Sequence, residues 1–431
     1  VITIGLKYPI IMKIKITEAS FKTVKPVKQP NILPTKQSKF FKGLINLVAA
    51  GDFKKTSFSF EWKSGQDIPL DQPCLILMNH SSFIDLEMLF KIFKDRPFNI
   101  ATTDDAFIGM DWLLRKIGCF PALKFQSDVT LILNMKHVIE KLKSSVVLFP
   151  EASYSFDGTA TELPDSIPGL VKYLKVPVLM VRTHGAFLRD PLYNNLQVRD
   201  TKVSAEISCI INKEQLSLPK ENIANIIKHH FTFDNFKEQQ ENNIVIDEPF
   251  RADYLNRALY KCPHCLTEGR MVGKGIELVC EECGNTYELT ENGYLANRIG
   301  ETKFNHIPDW YRWQRNCVKK EIENGEYSKD VNGVVYATID HKCVYRLGNG
   351  SLHHDINGFE LRDDQGNIVH TQKSLACYSL YSDFFWYEVG DIVSLGTPEI
   401  RYYIVPEEKD VVAKFRIATE EMFKHLRKKM A

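Results

Sequence analysis

Asn79-His80-Ser81-Ser82-Phe83-Ile84-Asp85 follows an apolar run at 74–78 and leads into a helix-patterned stretch at 82–93. An apolar run of that length, bounded by polar residues, reads as a buried strand. Ser81 or Ser82 is a plausible helix N-cap. Histidine at a strand end is well placed to meet a substrate. A carboxylate five residues later can fold back onto one ring nitrogen, fixing the tautomer and leaving the other nitrogen as a base. His80 and Asp85 are thus the base and orienter of a triad without its protein nucleophile. By itself the spacing also fits a capped histidine satisfied by a local acid.

The flanking chain repeats the strand-then-helix alternation. Further strands are predicted at 98–101, 146–149, 178–181 and 202–211, and helices at 110–117, 129–143 and 169–174. That order implies an α/β domain, a mixed sheet flanked by helices, over residues 51–250.

Four ordered blocks carry a resemblance to the lysophospholipid acyltransferase family, typified by 1-acylglycerol-3-phosphate acyltransferase. The first is the loop above, similar to that family's N-H-x4-D. The second is Gly118-Cys119-Phe120-Pro121-Ala122-Leu123-Lys124, where the family has a glycine, apolar residues and then arginine. The third is Phe149-Pro150-Glu151-Ala152-Ser153, where it has F-P-E-G-T/S. The fourth is Val176-Pro177-Val178-Leu179-Met180-Val181, similar to its V-P-apolar strand. The resemblance implies acyl transfer from a thioester, acyl-CoA or acyl carrier protein, to a lysophospholipid or related lipid hydroxyl. It implies His80 as general base, Asp85 as its orienter, and Lys124, Glu151, Ala152, Ser153 and Arg182 as candidate substrate-binding residues.

Three departures matter. Lys124 replaces an arginine and so loses the bidentate fork. Tyr154 stands where the third block continues into arginine. Ala152 replaces a glycine, which restricts the backbone if the turn needs positive φ. Arg182 and His184 are candidates to compensate for the lost cations. An acyltransferase for a glycolipid or amino-lipid is therefore one alternative. A non-catalytic lipid-binding adaptor is another, opposed by the intact His80/Asp85 pair.

Cys262, Cys265, Cys280 and Cys283 form two C-x2-C knuckles separated by 14 residues. This spacing predicts a zinc ribbon over 255–300, with a structural zinc closed by four thiolates and no open position. His264 lies within a knuckle and reads as a bystander. The ribbon carries five basic and six acidic residues, so it lacks an electrostatic footprint for nucleic acid. It reads as a spacer or protein-contact module. Four close cysteines among ten in a long chain also point to a reducing, cytoplasmic setting.

Residues 301–431 read as an aromatic helix at 307–325, then short strands at 334–339, 343–346, 360–362, 386–388, 392–394 and 401–405, closed by a helix at 409–429. Turns are predicted at Asn349-Gly350, Asn357-Gly358, Gly366-Asn367 and Gly390-Asp391. The pattern loosely resembles a pleckstrin-homology-like barrel, a second place for a protein partner. The aromatic run 378–387 reads as barrel core.

The chain has 431 residues, 44% hydrophobic and 25% charged. That excludes wholesale disorder, and a formal net charge of +1 excludes a uniformly basic nucleic-acid coat. The longest stretch free of charged residues is 13 long, against the roughly 20 a membrane helix needs. Residues 1–42, however, hold nine lysines and one acid. In 38–50, Phe41, Leu44, Ile45 and Val48 fall at helical spacing. Because long acyl chains are held in membranes, residues 1–50 are expected to form a basic, interfacial segment that docks the protein peripherally.

Overall fold

The computed structural model describes residues 14–430, so residues 1–13 of the expected interfacial segment lie outside the described residues. The chain divides into two compact units. One comprises Pro30–Pro191 and Gln197–Asn235. The other comprises residues 14–29, Leu192–Leu196 and 236–430, and it includes the first strand, β1 (Ile16–Glu18). The expected N-terminal segment is thus shared between the units rather than standing apart.

The first unit holds α1 (Lys39–Lys55), β2 (Ser59–Trp62), β3 (Leu75–Met78), α2 (Ile84–Ile92), β4 (Phe98–Thr103), α3 (Asp111–Lys116), β5 (Cys119–Ala122), α4 (Val129–Glu140), β6 (Ser145–Leu148), α5 (Ile167–Leu174), β7 (Val178–His184), α6 (Ala186–Arg189), β8 (Ser204–Ile211) and α7 (Lys220–His230). The sheet runs β2-β8-β7-β3-β6-β4-β5. Only β7/β8 is antiparallel. The sheet is therefore mixed, as expected.

Strand β3 is wholly buried because both faces of the sheet are covered, and a continuous apolar run is what such a strand requires. Ile76 and Met78 point into one core with α2 and α3. Leu75 and Leu77 point into the other with α4, α5 and α7. Strands β3, β6 and β7 are mutually parallel, so their carboxyl ends share one rim, the usual ligand side of an open α/β sheet.

Helix α1 is apolar on two faces. Phe41, Ile45 and Phe53 pack on the core. Phe40 and Leu47 are about three-quarters exposed, at 73% and 74%, and Leu44 and Val48 join them. Lys42 faces inward, and its Nζ donates to the carbonyls of Phe93 (3.1 Å) and Arg96 (3.3 Å) past the end of α2. A cation there meets the negative end of the helix dipole.

In the second unit, α8 (Asn235–Glu241) leads into a four-stranded antiparallel sheet ordered β12-β11-β10-β9. Its strands are β9 (Met271–Lys274), β10 (Glu277–Cys280), β11 (Thr286–Leu289) and β12 (Leu295–Asn297). Helix α9 (Ile307–Glu323) follows. Seven antiparallel strands come next: β13 (Lys329–Thr338), β14 (Val344–Asp355), β15 (Gly358–Asp363), β16 (Ile368–Lys373), β17 (Tyr381–Trp386), β18 (Gly390–Thr397) and β19 (Ile400–Pro406). Their order is β16-β15-β14-β13-β19-β18-β17, with β1 parallel to the start of β14. Helix α10 (Val411–Met430) closes the unit against α9, where Arg315 pairs with Glu420 (2.7 Å) and Glu421 (2.9 Å).

Three local expectations are corrected. Gly390-Asp391 opens β18, and the turn before it is 387–389. Asn349-Gly350 lies inside β14, not in a turn. A Cβ on Gly350 would stand 2.6 Å from the Arg362 carbonyl oxygen, so this glycine serves close strand approach. Residues 386–388 are the last residue of β17 and a turn, because Tyr387 and Glu388 have φ of 44° and 61°.

Candidate active site

Residues 79–85 bridge the end of β3 and the start of α2 at the shared rim. The His80 Nδ1 to Asp85 Oδ2 distance is 3.0 Å. The same oxygen accepts the backbone N–H groups of Ser81 (2.8 Å) and Ser82 (3.1 Å). A carboxylate bonded this way is acceptor-only, so Nδ1 carries the proton and Nε2 is left as the basic nitrogen. Asp85 is 1% exposed, whereas the His80 side chain is 26% exposed. The carboxylate is locked and the imidazole is accessible.

Asn79 anchors the loop across the sheet. Its Oδ1 accepts from Thr183 N (2.8 Å) and its Nδ2 donates to Thr183 Oγ1 (2.8 Å). Beneath the loop, the Ser82 hydroxyl donates to Asp190 Oδ1. Asp190 pairs with Arg189 (2.9 Å), which also reaches Asp52 (3.2 Å). Burial, then the neighbouring Asp52 carboxylate, pushes Glu87 up to about 7. Thr183, Arg189 and Asp190 were not singled out from sequence, nor were the contacts that Asn79 and Ser82 make with them. Their partners lie far along the chain and no spacing announces them.

Glu151 is fully buried. Its Oε2 accepts the backbone N–H of His80 (3.1 Å) and its Oε1 that of Thr161 (2.9 Å). It therefore braces the histidine's backbone rather than facing open space. Ala152 has φ of 55°, so the turn does adopt the left-handed conformation that favours glycine. The buried Ser153 directs its hydroxyl to the Tyr154 carbonyl (3.3 Å). Phe149 and Tyr154 flank the His80 ring, with centroids 4.3 and 4.2 Å away. An aromatic face thus stands beside the base where the resembled block has a cation.

The remaining two candidates follow or lie on strands other than β3. Lys124 follows β5 at the same rim, but β5 is three strands from β3, about 14 Å. Arg182 shares the side of β7 occupied by Val178 and Met180, which face α5 and α7. The even residues of β3, Ile76 and Met78, lead to His80 on the other face. The sheet therefore separates Arg182 from the pair.

In the second unit, Cys262, Cys265, Cys280 and Cys283 bring their sulfurs within 4.8 Å of one another. Two of the separations are 3.7 Å (Cys262–Cys283) and 3.6 Å (Cys265–Cys280). A tetrahedron of thiolates around zinc, with Zn–S of about 2.3 Å, has edges of about 3.8 Å. The donor set therefore fits that ion. His264 is outside the cluster, with Nε2 2.9 Å from the Tyr287 hydroxyl.

Residues 60–182 match the family model described as Acyltransferase. Among solved structures, the chain is similar to the 1-acyl-sn-glycerophosphate (LPA) acyltransferase PlsC from Thermotoga maritima. Identity is 18%, over 45% of this chain and 79% of that one, with a TM-score of 0.35. No curated protein matches the chain. The family match contains the His80/Asp85 loop, the Glu151 turn and most of strand β7, so residues 60–182 form a domain of the acyltransferase family.

Proposed function

We propose that the protein moves a fatty acyl group from acyl-CoA or acyl carrier protein to the hydroxyl of a lysophospholipid or related lipid. The observation that carries this is the locked His80–Asp85 pair at the sheet rim. His80 Nε2 takes the acceptor's hydroxyl proton as its oxygen attacks the thioester carbonyl. The carbon–sulfur bond then breaks, and the imidazolium returns its proton to the leaving thiolate. Asp85 stabilises the imidazolium. Proton transfer of this kind contributes about 10²–10⁴-fold.

In this reading Glu151 and Asn79 are positioning residues. Tyr154 beside His80 favours an acceptor that does not depend on an arginine–phosphate pair there, which keeps a glycolipid or amino-lipid as the second reading.

The four cysteines hold a structural zinc. That ion supplies cross-linking of the ribbon and no chemistry at His80. The strand order of β13–β19, with α10 closing it, supports a pleckstrin-homology-like reading of residues 329–430. This region and the ribbon are the places for a protein partner. No helix among the described residues is long and apolar enough to cross a membrane. The outward residues of α1, with Trp112 (62% exposed) beside Phe41, support peripheral docking on a cytoplasmic membrane surface.

The test offers acyl-CoA and acyl carrier protein donors, with a panel of lysolipids and glycolipids on anionic vesicles, to the full chain. Products are read by mass spectrometry and the vesicle-bound fraction by sedimentation. Acylated product from at least one acceptor is expected, with the protein in the vesicle pellet. No product from any pair, or protein left wholly in the supernatant, contradicts the reading.

A further inference from the structure

The face of the sheet opposite His80 carries a second concave site. Its cavity, of 340 Å³, is lined by Arg182 on β7, Glu206 and Ser208 on β8, and His229, His230 and Thr232 at the end of α7. Volumes of this order suit small organic ligands.

The site is basic and hydroxylated. Arg182 Nε is buried without a hydrogen-bond partner among the described residues. The His229 and His230 rings stand 5.5 Å apart. The one acid, Glu206, is already shared by Lys63 (3.5 Å) and His184 (3.9 Å). The α7 terminus does not oppose an anion with bare carbonyls, because Phe231 N, Thr232 N and Thr232 Oγ1 donate to those of Ile227, His229 and Lys228. Burial, then His229 and Arg182, lowers the pKa of His230. Basic groups that oppose one another's charge in this way are what an anion would relieve.

We propose that this cavity binds a phosphate monoester, with the Arg182 guanidinium as its principal partner and His229, His230 and Ser208 as further donors. A guanidinium gives phosphate paired, charge-assisted hydrogen bonds. The site is distinct from the acyl-transfer centre, and its occupancy does not depend on how that centre is read. It is joined to it through one residue: Thr183, next to Arg182 in the chain, holds Asn79 beside His80.

The experiment is calorimetric titration of the full chain with inorganic phosphate, glycerol 3-phosphate and adenosine 3′,5′-bisphosphate. These arms distinguish a free ion, a lipid head group and the nucleotide end of a thioester donor. At least one is expected to bind. Arg182→Gln should weaken it about tenfold or more, as the loss of a charge-assisted contact requires. The paired variant His229→Gln/His230→Gln should weaken it too, and gives a second reading if Arg182→Gln does not fold. Binding of none of the three overturns the proposal. So does binding that survives both variants, or binding abolished by Lys124→Gln instead.

Discussion

Glu151 accepts the backbone N–H of His80 through Oε2 at 3.1 Å, although the two residues are 71 positions apart. Its other oxygen holds Thr161 N at 2.9 Å. One buried carboxylate thus ties the loop after β6 to the loop after β3. The backbone position of His80 is held by a fully buried acid.

Glu151→Gln keeps the size but turns an NH₂ donor toward one of two N–H donors. A buried donor left unpaired costs about 1–3 kcal/mol. We expect kcat to fall about 10–100-fold with little change in KM, since a misplaced base affects chemistry more than binding. Steady-state kinetics on vesicles check this. A raised KM at unchanged kcat would instead make Glu151 a substrate contact.

Ala152 carries a Cβ in a left-handed turn at φ 55°. That conformation costs an L-residue roughly 1–2 kcal/mol, offset in part by the greater chain entropy of glycine. Ala152→Gly should therefore stabilise the acyltransferase domain by about 1 kcal/mol in a urea titration. Destabilisation would mean that the methyl group makes packing contacts that outweigh the strain.

Glu87 is held up to about 7, first by burial and then by Asp52. Its unfolded pKa lies near 4.5, so folding takes up a proton between those values. The stabilising contribution is fully present below about pH 4.5 and is lost as pH rises through about 7. The loss is at most about 3 kcal/mol. Glu87→Gln should narrow the difference between unfolding free energies measured at pH 5 and pH 8. An unchanged difference would place the proton elsewhere.

Removing the metal should release the ribbon. Metal analysis is expected to give one zinc per chain, and Cys262→Ser to lose it. Trp310 Nε1 donates to the Lys261 carbonyl (2.9 Å), next to the first cysteine, so the indole reports on that knuckle. Chelation should shift tryptophan fluorescence and lower the Tm of the second unit, because binding free energy there is folding free energy. A metal-free chain with unchanged fluorescence and Tm would refute the zinc assignment.

The contact between His80 and Asp85 was legible because both lie on one local loop after an apolar strand. The long-range braces were not: Asn79–Thr183 and Ser82–Asp190 join residues 104 and 108 positions apart. Strands β2 and β5 escaped prediction as edge strands. The first is largely exposed, and the second contains Pro121, tolerated where no neighbour needs its N–H. Helix α7 left a trace that could have been read, Ile223 and Ile227 at i and i+4, both now buried in one core. Strand alternation likewise separates Arg182 from Thr183, so the parity of β7 already assigned them to opposite faces. On α1, helical spacing found the apolar residues but not which of them pack, because both sides of the helix are apolar.

The most direct test of the account is single-turnover acyl transfer by the wild-type chain and by His80→Ala, on the same vesicles and with matched vesicle binding. The account predicts wild-type product and a loss of at least about 10²-fold in the variant. Product formed by His80→Ala at the wild-type rate would contradict it.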